Sequence, residues 1–126
     1  MERELKLVNE FHKIFKIPTL ENPSLIPKRY ELRHRILAEE VEEYLEGNKK
    51  QDLENVAKEL GDVLYITYCT ILEHGLQDKM PQIFEAIHKS NMSKLDDDGN
   101  PILREDGKIL KSKNYIKADI RGILEK

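Results

Sequence analysis

The sequence predicts an all-α protein, a bundle of four to five helices with a small hairpin or loop near its C-terminus. Apolar residues recur every three or four positions through the first three-quarters of the chain, which is the period of an amphipathic helix. The breaks in this pattern coincide with proline or glycine, the residues that most often end helices. The length of 126 residues predicts one domain over residues 1–126. The content of 39% hydrophobic and 36% charged residues suits a soluble, helix-rich protein.

The first three helices follow from this spacing and from their stop signals. Residues 2–16 form the first, because their apolar residues recur at three and four, and a loop with four helix-breaking residues follows it (Pro18, Asn22, Pro23 and Pro27). The second is expected from about residue 28 to 46, with Gly47-Asn48 as its C-terminal signal. The third is expected from Asp52, as N-cap, to His74, and Gly75 ends it.

The remaining elements are shorter. A fourth helix is expected over residues 79–93, with Pro81 in its first turn, where the missing N–H is harmless. Two apolar pairs, Ile102-Leu103 and Ile109-Leu110, flank an Asp-Gly turn and predict a small hairpin or an ordered loop. A short helix around residues 117–125 completes the prediction.

Charge and cysteine content exclude several classes of protein. The net charge of −3 favours neither a nucleic acid polymer nor an acidic membrane surface as partner. The single cysteine, Cys69, cannot form an intramolecular disulfide. No apolar leader and no apolar run of ~18 residues is present, so we expect a cytoplasmic protein without a membrane span.

Two acidic stretches stand out on neighbouring helices. Residues three or four apart share one face of a helix, so Glu40 and Glu43 point the same way, as do Glu39 and Glu43. Glu59 and Asp62 form a matching pair on the third helix. Acidic runs usually form a solvated face. Here, however, Glu39, Glu40 and Glu43 continue the apolar row of Leu32 and Ile36, so we expect these three acids to face the protein. Glu42 and Glu46 lie on another ridge and are expected to face water.

Asp62 carries the stronger argument for chemistry. It is the only charge between Leu60 and Leu72, and an isolated carboxylate in such a helix costs several kcal/mol unless it is paired, protonated or bound to metal. Clustered acids repel one another unless a cation joins them. Oxygen ligands without Cys or His suit Mg²⁺, with Mn²⁺ as a substitute, and magnesium leaves positions for phosphate oxygens.

The acids resemble a known signature. Glu39-Glu40-x-x-Glu43, a gap of fifteen residues and then Glu59-x-x-Asp62 is similar to the EExxE…ExxD pattern of the all-α nucleoside triphosphate pyrophosphohydrolases. Residues 8–12 and the proline-containing loop resemble the MazG-like, phosphoribosyl-ATP pyrophosphohydrolase-like branch of that superfamily. So do residues 88–94 and the tail Lys111-x-x-Asn114-Tyr115.

The resemblance implies an enzyme that hydrolyses a nucleoside triphosphate between its α and β phosphates, as a homodimer or a dimer of dimers. It implies that Glu40, Glu43, Glu59 and Asp62 hold the metal and that Glu39 is a further ligand or orients the attacking water. Glu39 and Glu43 are therefore the candidate catalytic residues. The candidate substrate-binding residues are Asn91, Lys94, Lys108, Lys111 and Tyr115.

The sequence leaves alternatives for the role of Arg33, for the substrate and for the class of protein. Arg33 is either a phosphate contact or, as we favour, an ion-pair partner of the acids. The first helix and the hairpin tail favour the MazG-like branch over phosphoribosyl-ATP hydrolysis, while the acids alone do not identify the base. A catalytically silent helical interaction module with a structural metal site is the competing class.

Overall fold

The computed structural model describes residues 1–126 and confirms the all-α class. Its elements are α1 (Glu2–Phe15), α2 (Tyr30–Lys49), α3 (Leu53–Glu73), α4 (Met80–Met92), β1 (Ile102–Leu103), β2 (Ile109–Leu110) and α5 (Ile120–Leu124). None of the five helices combines the length and the apolar composition that a membrane span needs. The chain divides into two compact units, Met1–Asp78 and Lys79–Lys126; a single domain over 1–126 stays a prediction.

Helix α3 is the centre of the first unit, since both α1 and α2 pack against it. The apolar side chains buried here come from two helices. They are Leu5 and Val8 of α1 and Cys69, Ile71 and Leu72 of α3. Burial of Cys69 agrees with a packing role for this thiol.

The predicted ends of α3 are confirmed. The side chain of Asp52 accepts a hydrogen bond from the backbone N–H of Asn55 at 3.1 Å and caps the first turn. Gly75 has a φ of +69°, and a Cβ at this position would lie 2.2 Å from the carbonyl oxygen of Asn22. Only glycine fits here, so the loop that follows α1 can pack against the end of α3.

The predicted end of α2 is wrong, because the helix continues through Gly47 to Lys49. Gly47 is buried, and a Cβ there would lie 3.0 Å from Nδ2 of Asn55 and 3.3 Å from Cγ2 of Val56. This glycine therefore allows α2 and α3 to approach closely. The reversal comes afterwards, where Gln51 adopts a left-handed φ of 55°.

A buried ion-pair network joins α2 to the other end of α3. Arg29 and Arg33 both donate to the carboxylate of Glu73, which is 1% exposed. Our expectation that Arg33 pairs with the acidic stretches is therefore wrong, because its partner is Glu73. His12 of α1 is buried in the same part of the unit and shares a 2.8 Å hydrogen bond with the hydroxyl of Thr19.

The second unit consists of α4, the hairpin and α5. Helices α4 and α5 pack together and bury Ile83 and Ile123. Strands β1 and β2 pair antiparallel, with Ile102 opposite Leu110, which confirms the predicted hairpin. Gly107 supplies the positive φ of 90° that its turn requires.

Candidate metal centre

The antiparallel pair of α2 and α3 positions the acidic residues. Gly47 contacts Val56 near the connecting turn, and Arg33 contacts Glu73 near the far end, so the two helices run side by side along their length. Glu40 and Glu43 lie on α2 between these two contacts, and Glu59 lies on α3 between the same two. The helix pairing therefore brings together acids that are distant in sequence.

Three carboxylates meet at this point. Glu40, Glu43 and Glu59 each offer one oxygen, and these three atoms all lie within 4.8 Å of one another. Glu59 is 3% exposed, Glu40 is half-buried and Glu43 is exposed. The centre thus reaches from the interface between the two helices to the surface.

Two oxygens of this group lack a hydrogen-bond partner. They are Oε2 of Glu40 and Oε2 of Glu59, both of which are buried. A buried acceptor without a donor costs about 1–3 kcal/mol, and a charged one costs more. A bound cation would satisfy both atoms, whereas a simple solvated acidic face would not bury them.

Hydrogen bonding, burial and neighbouring charges shift the pKa values of these acids. The pKa of Glu40 is raised to about 7 by its hydrogen bond with Glu59, by burial and by the nearby charges of Glu43 and Asp62. Hydrogen bonding to Glu59 likewise raises the pKa of Glu43. The pKa of Glu59 is lowered, chiefly because Glu40 donates to it.

The two other acids of the signature lie differently. Asp62 is outside the group of three, and its carboxylate accepts from Nζ of Lys58 at 2.6 Å. The same ammonium lies 3.3 Å from Oε1 of Glu59, so Asp62 is linked to the centre through Lys58. Glu39 is exposed on α2 and also lies outside the group of three.

The donor set fits a hard divalent cation. All available ligand atoms are carboxylate oxygens, and no histidine or cysteine belongs to the group. Such ligands suit Mg²⁺ or Mn²⁺ better than Zn²⁺ or Cu²⁺. Exposure of Glu43 leaves the solvent side of the centre open to a ligand that brings further oxygens.

The candidate substrate-binding residues all lie in the second unit. Nζ of Lys111 lies 4.6 Å from the ring centroid of Tyr115. The pKa of Tyr115 is lowered, first by a hydrogen bond with Ser90 and then by the charges of three lysines that include Lys111 and Lys94. Lys94, Lys111 and Tyr115 thus form one basic group.

The other two candidate substrate-binding residues are Asn91 and Lys108. Asn91 is exposed in the last turn of α4, and Lys108 follows the hairpin turn, where its backbone N–H donates to Asp106.

The roles of two charged residues of α3 were not predicted from the sequence: Lys58 beside the acids and Glu73 at the other end of the helix. Lys58 stands one residue before Glu59 and four before Asp62, which is the spacing of a helical ion pair and was a usable signal. Glu73 lies just beyond the apolar stretch of α3, and nothing in its sequence surroundings indicates two arginine partners about forty residues earlier in the chain.

Fold and centre together define an all-α protein in which two antiparallel helices present a carboxylate cluster fit for a divalent cation. Residues 8–91, roughly two thirds of the chain, match the family described as phosphoribosyl-ATP pyrophosphohydrolase, and the chain belongs to this family. The matched region contains every acid of the signature, and the resemblance to this branch is confirmed. No curated protein matches the chain. Membership supports a nucleotide pyrophosphohydrolase activity.

Proposed function

We propose that this protein is a magnesium-dependent enzyme that hydrolyses a ribo- or deoxyribonucleoside triphosphate to the monophosphate and pyrophosphate, and so clears unwanted nucleotides from the pool. One observation carries the proposal. Within the family match, carboxylates of Glu40, Glu43 and Glu59 converge, and two of their buried oxygens have no partner. A structural acidic face would leave such oxygens in water.

Glu40, Glu43 and Glu59 would hold the cation, and Asp62 would join them from one turn along α3. When bound, the ion neutralises the polyphosphate and activates water for attack on phosphorus. Buried Glu59 fixes the position of the centre, because its side chain is confined between the helices. The exposed Glu43 lies on the side from which a triphosphate approaches.

The chain's own acids would handle the proton. We assign Glu39 and Glu43 to this task, since both are exposed on α2 and lie one turn apart. Either carboxylate can orient a water molecule and accept its proton as the water oxygen bonds to the α-phosphorus. The bond between the α-phosphorus and the bridging oxygen then breaks, and pyrophosphate leaves with the electron pair.

The residues that the resemblance assigns to substrate binding would contact the phosphates of the nucleotide. Lys94, Lys111 and Tyr115 offer ammonium and phenol donors in one basic group, which suits phosphate oxygens. Asn91 and Lys108 are assigned the same role by the resemblance. We expect loss of Lys94 or Lys111 to raise KM with little effect on kcat.

Phosphoribosyl-ATP is a second candidate substrate. The family match itself favours phosphoribosyl-ATP, whereas the first helix and the hairpin tail favour ordinary nucleoside triphosphates. Both substrates carry the same triphosphate, so the acids serve either one. Pyrophosphate release from a panel of nucleoside triphosphates and phosphoribosyl-ATP therefore separates the two.

The metal dependence is tested by chelation. EDTA should abolish pyrophosphate release, and Mg²⁺ or Mn²⁺ should restore it, since the acids otherwise repel the triphosphate. Undiminished turnover in EDTA would refute the metal model. Metal binding without turnover on any substrate would instead support a silent interaction module with a structural metal site.

Matched variants test the acids. Glu43→Gln and Asp62→Asn keep side-chain shape and should lower turnover by orders of magnitude while folding survives. Glu42→Gln and Glu46→Gln are the controls, because Glu42 is exposed and Glu46 pairs at the surface with Lys49. Equal damage from Glu42→Gln and Glu43→Gln would contradict the assignment.

A further inference from the structure

Lys58 is the only basic side chain that forms ion pairs with the acids of the metal centre. Its ammonium lies 2.6 Å from Oδ2 of Asp62 and 3.3 Å from Oε1 of Glu59. Two of the proposed ligands are thus engaged by a cation that belongs to the chain. The side chain of Lys58 is 65% exposed, so nothing confines it to this position except the acids.

A divalent cation and this ammonium would compete for the same oxygens. Oδ2 of Asp62 already accepts from the ammonium of Lys58. A divalent cation bound by Asp62 would lie within a few ångströms of this ammonium, and the two positive charges would repel each other. The buried Oε2 of Glu59 and of Glu40 are free to face a cation, but the remaining oxygens near Lys58 become available only when the ammonium leaves. The long flexible stem of lysine allows such a movement without any change in α3.

We propose that Lys58 is an exchangeable counter-ion of the metal centre. It holds Glu59 and Asp62 when no divalent cation is bound, leaves them when one binds, and then contacts the phosphate oxygens of the nucleotide. This last step rests on the proposed function. Lys58 remains within one side-chain length of the centre after its release, and a triphosphate there is the nearest concentration of negative charge. Lys58 is thus both a competitor of the metal and a contact for the substrate.

The test compares Lys58→Gln with Lys49→Gln. Lys49 is a matched control, because it is 62% exposed and pairs with Glu46 on α2 at 3.4 Å, away from the centre. Calorimetric titration of the metal-free protein with Mn²⁺ or Mg²⁺, without nucleotide, measures the competition directly. Removal of the competing ammonium should tighten binding by about three- to tenfold, since two partly exposed ion pairs are lost. Lys49→Gln should bind metal as the wild type does.

Two further measurements complete the design. In EDTA, Lys58→Gln should unfold at a lower temperature than the wild type, while saturating Mg²⁺ should bring the two together. With metal present, KM for the hydrolysed nucleotide should rise in Lys58→Gln, and kcat should change little.

An unchanged metal affinity in Lys58→Gln would overturn the competition, and an unchanged KM would overturn the substrate contact. A wild-type protein that binds metal but hydrolyses no nucleotide would refute the proposed function and leave the competition standing.

Discussion

Replacement of Glu73 by glutamine should destabilise the protein more than loss of any surface ion pair. The side chain of Glu73 is 1% exposed and receives both Arg29 and Arg33. Arg33 is also buried, so its guanidinium cannot turn to water when the carboxylate is lost. Glutamine keeps the shape of the side chain, removes its charge and replaces one of its two accepting oxygens with an amide nitrogen that donates.

The expected loss is about 3–5 kcal/mol in the free energy of unfolding, because one partner of a buried ion pair disappears and the other charge is left uncompensated. Arg29 contributes less to this loss than Arg33, since about a third of its side chain is exposed. Small domains have about 5–15 kcal/mol of stability in total. The variant should therefore be only marginally folded at 25 °C.

Urea unfolding followed by circular dichroism measures this difference. Glu46→Gln is the control, since its pair with Lys49 is exposed and such pairs are worth about 0.2–1 kcal/mol. Replacement of Arg33 and Glu73 together by methionine should cost less than the sum of the two single replacements, because the double variant leaves no buried guanidinium of Arg33 without its carboxylate. A loss below about 1 kcal/mol for Glu73→Gln, or strictly additive effects of the two methionine replacements, would refute the reasoning.

Two other predictions concern the metal centre and the surface. Because the pKa of Glu40 is raised to about 7, its protonated form dominates below pH 7, and a cation must displace that proton. Metal affinity measured by calorimetry should then fall by up to about tenfold per pH unit below 7 in the wild type and less steeply in Glu40→Gln. We also expect a homodimer or a dimer of dimers, because Leu60 and Leu64 on α3 are 48% and 60% exposed, and burial of apolar surface stabilises by roughly 25 cal/mol per Å². Light scattering at micromolar concentration should give at least twice 14.8 kDa, and a monomeric mass would contradict the prediction.

The parts of this fold that could be predicted are those that depend on local sequence. The ends of α3 follow from Asp52 and Gly75, and the hairpin follows from an Asp-Gly turn between two apolar pairs. The acids were found for the same reason, since helical spacing alone places Glu40 beside Glu43. Their convergence with Glu59 needed one further step, the antiparallel packing of two helices joined by a short turn.

The parts that could not be predicted depend on contacts between elements. Gly47-Asn48 is a typical helix-termination signal, yet α2 continues through it. Gly47 is instead a point of close packing against Val56 of α3, which the local sequence does not indicate. Several acids lie on the same helix as Arg33, but its partner is Glu73, forty residues away in sequence. Such pairings are set by the register of α2 against α3.

That register also explains how the acids stay together before a cation arrives. Repulsion among Glu40, Glu43 and Glu59, when they are charged, favours separation of α2 from α3. The contacts on either side oppose the separation, because Gly47 packs against α3 near the turn and Arg33 binds Glu73 near the far end. Neither contact touches the centre, yet both fix the spacing on which its ligand geometry depends. The stability of the helix pair therefore comes from outside the centre, and the centre can retain the unpaired oxygens that a cation requires.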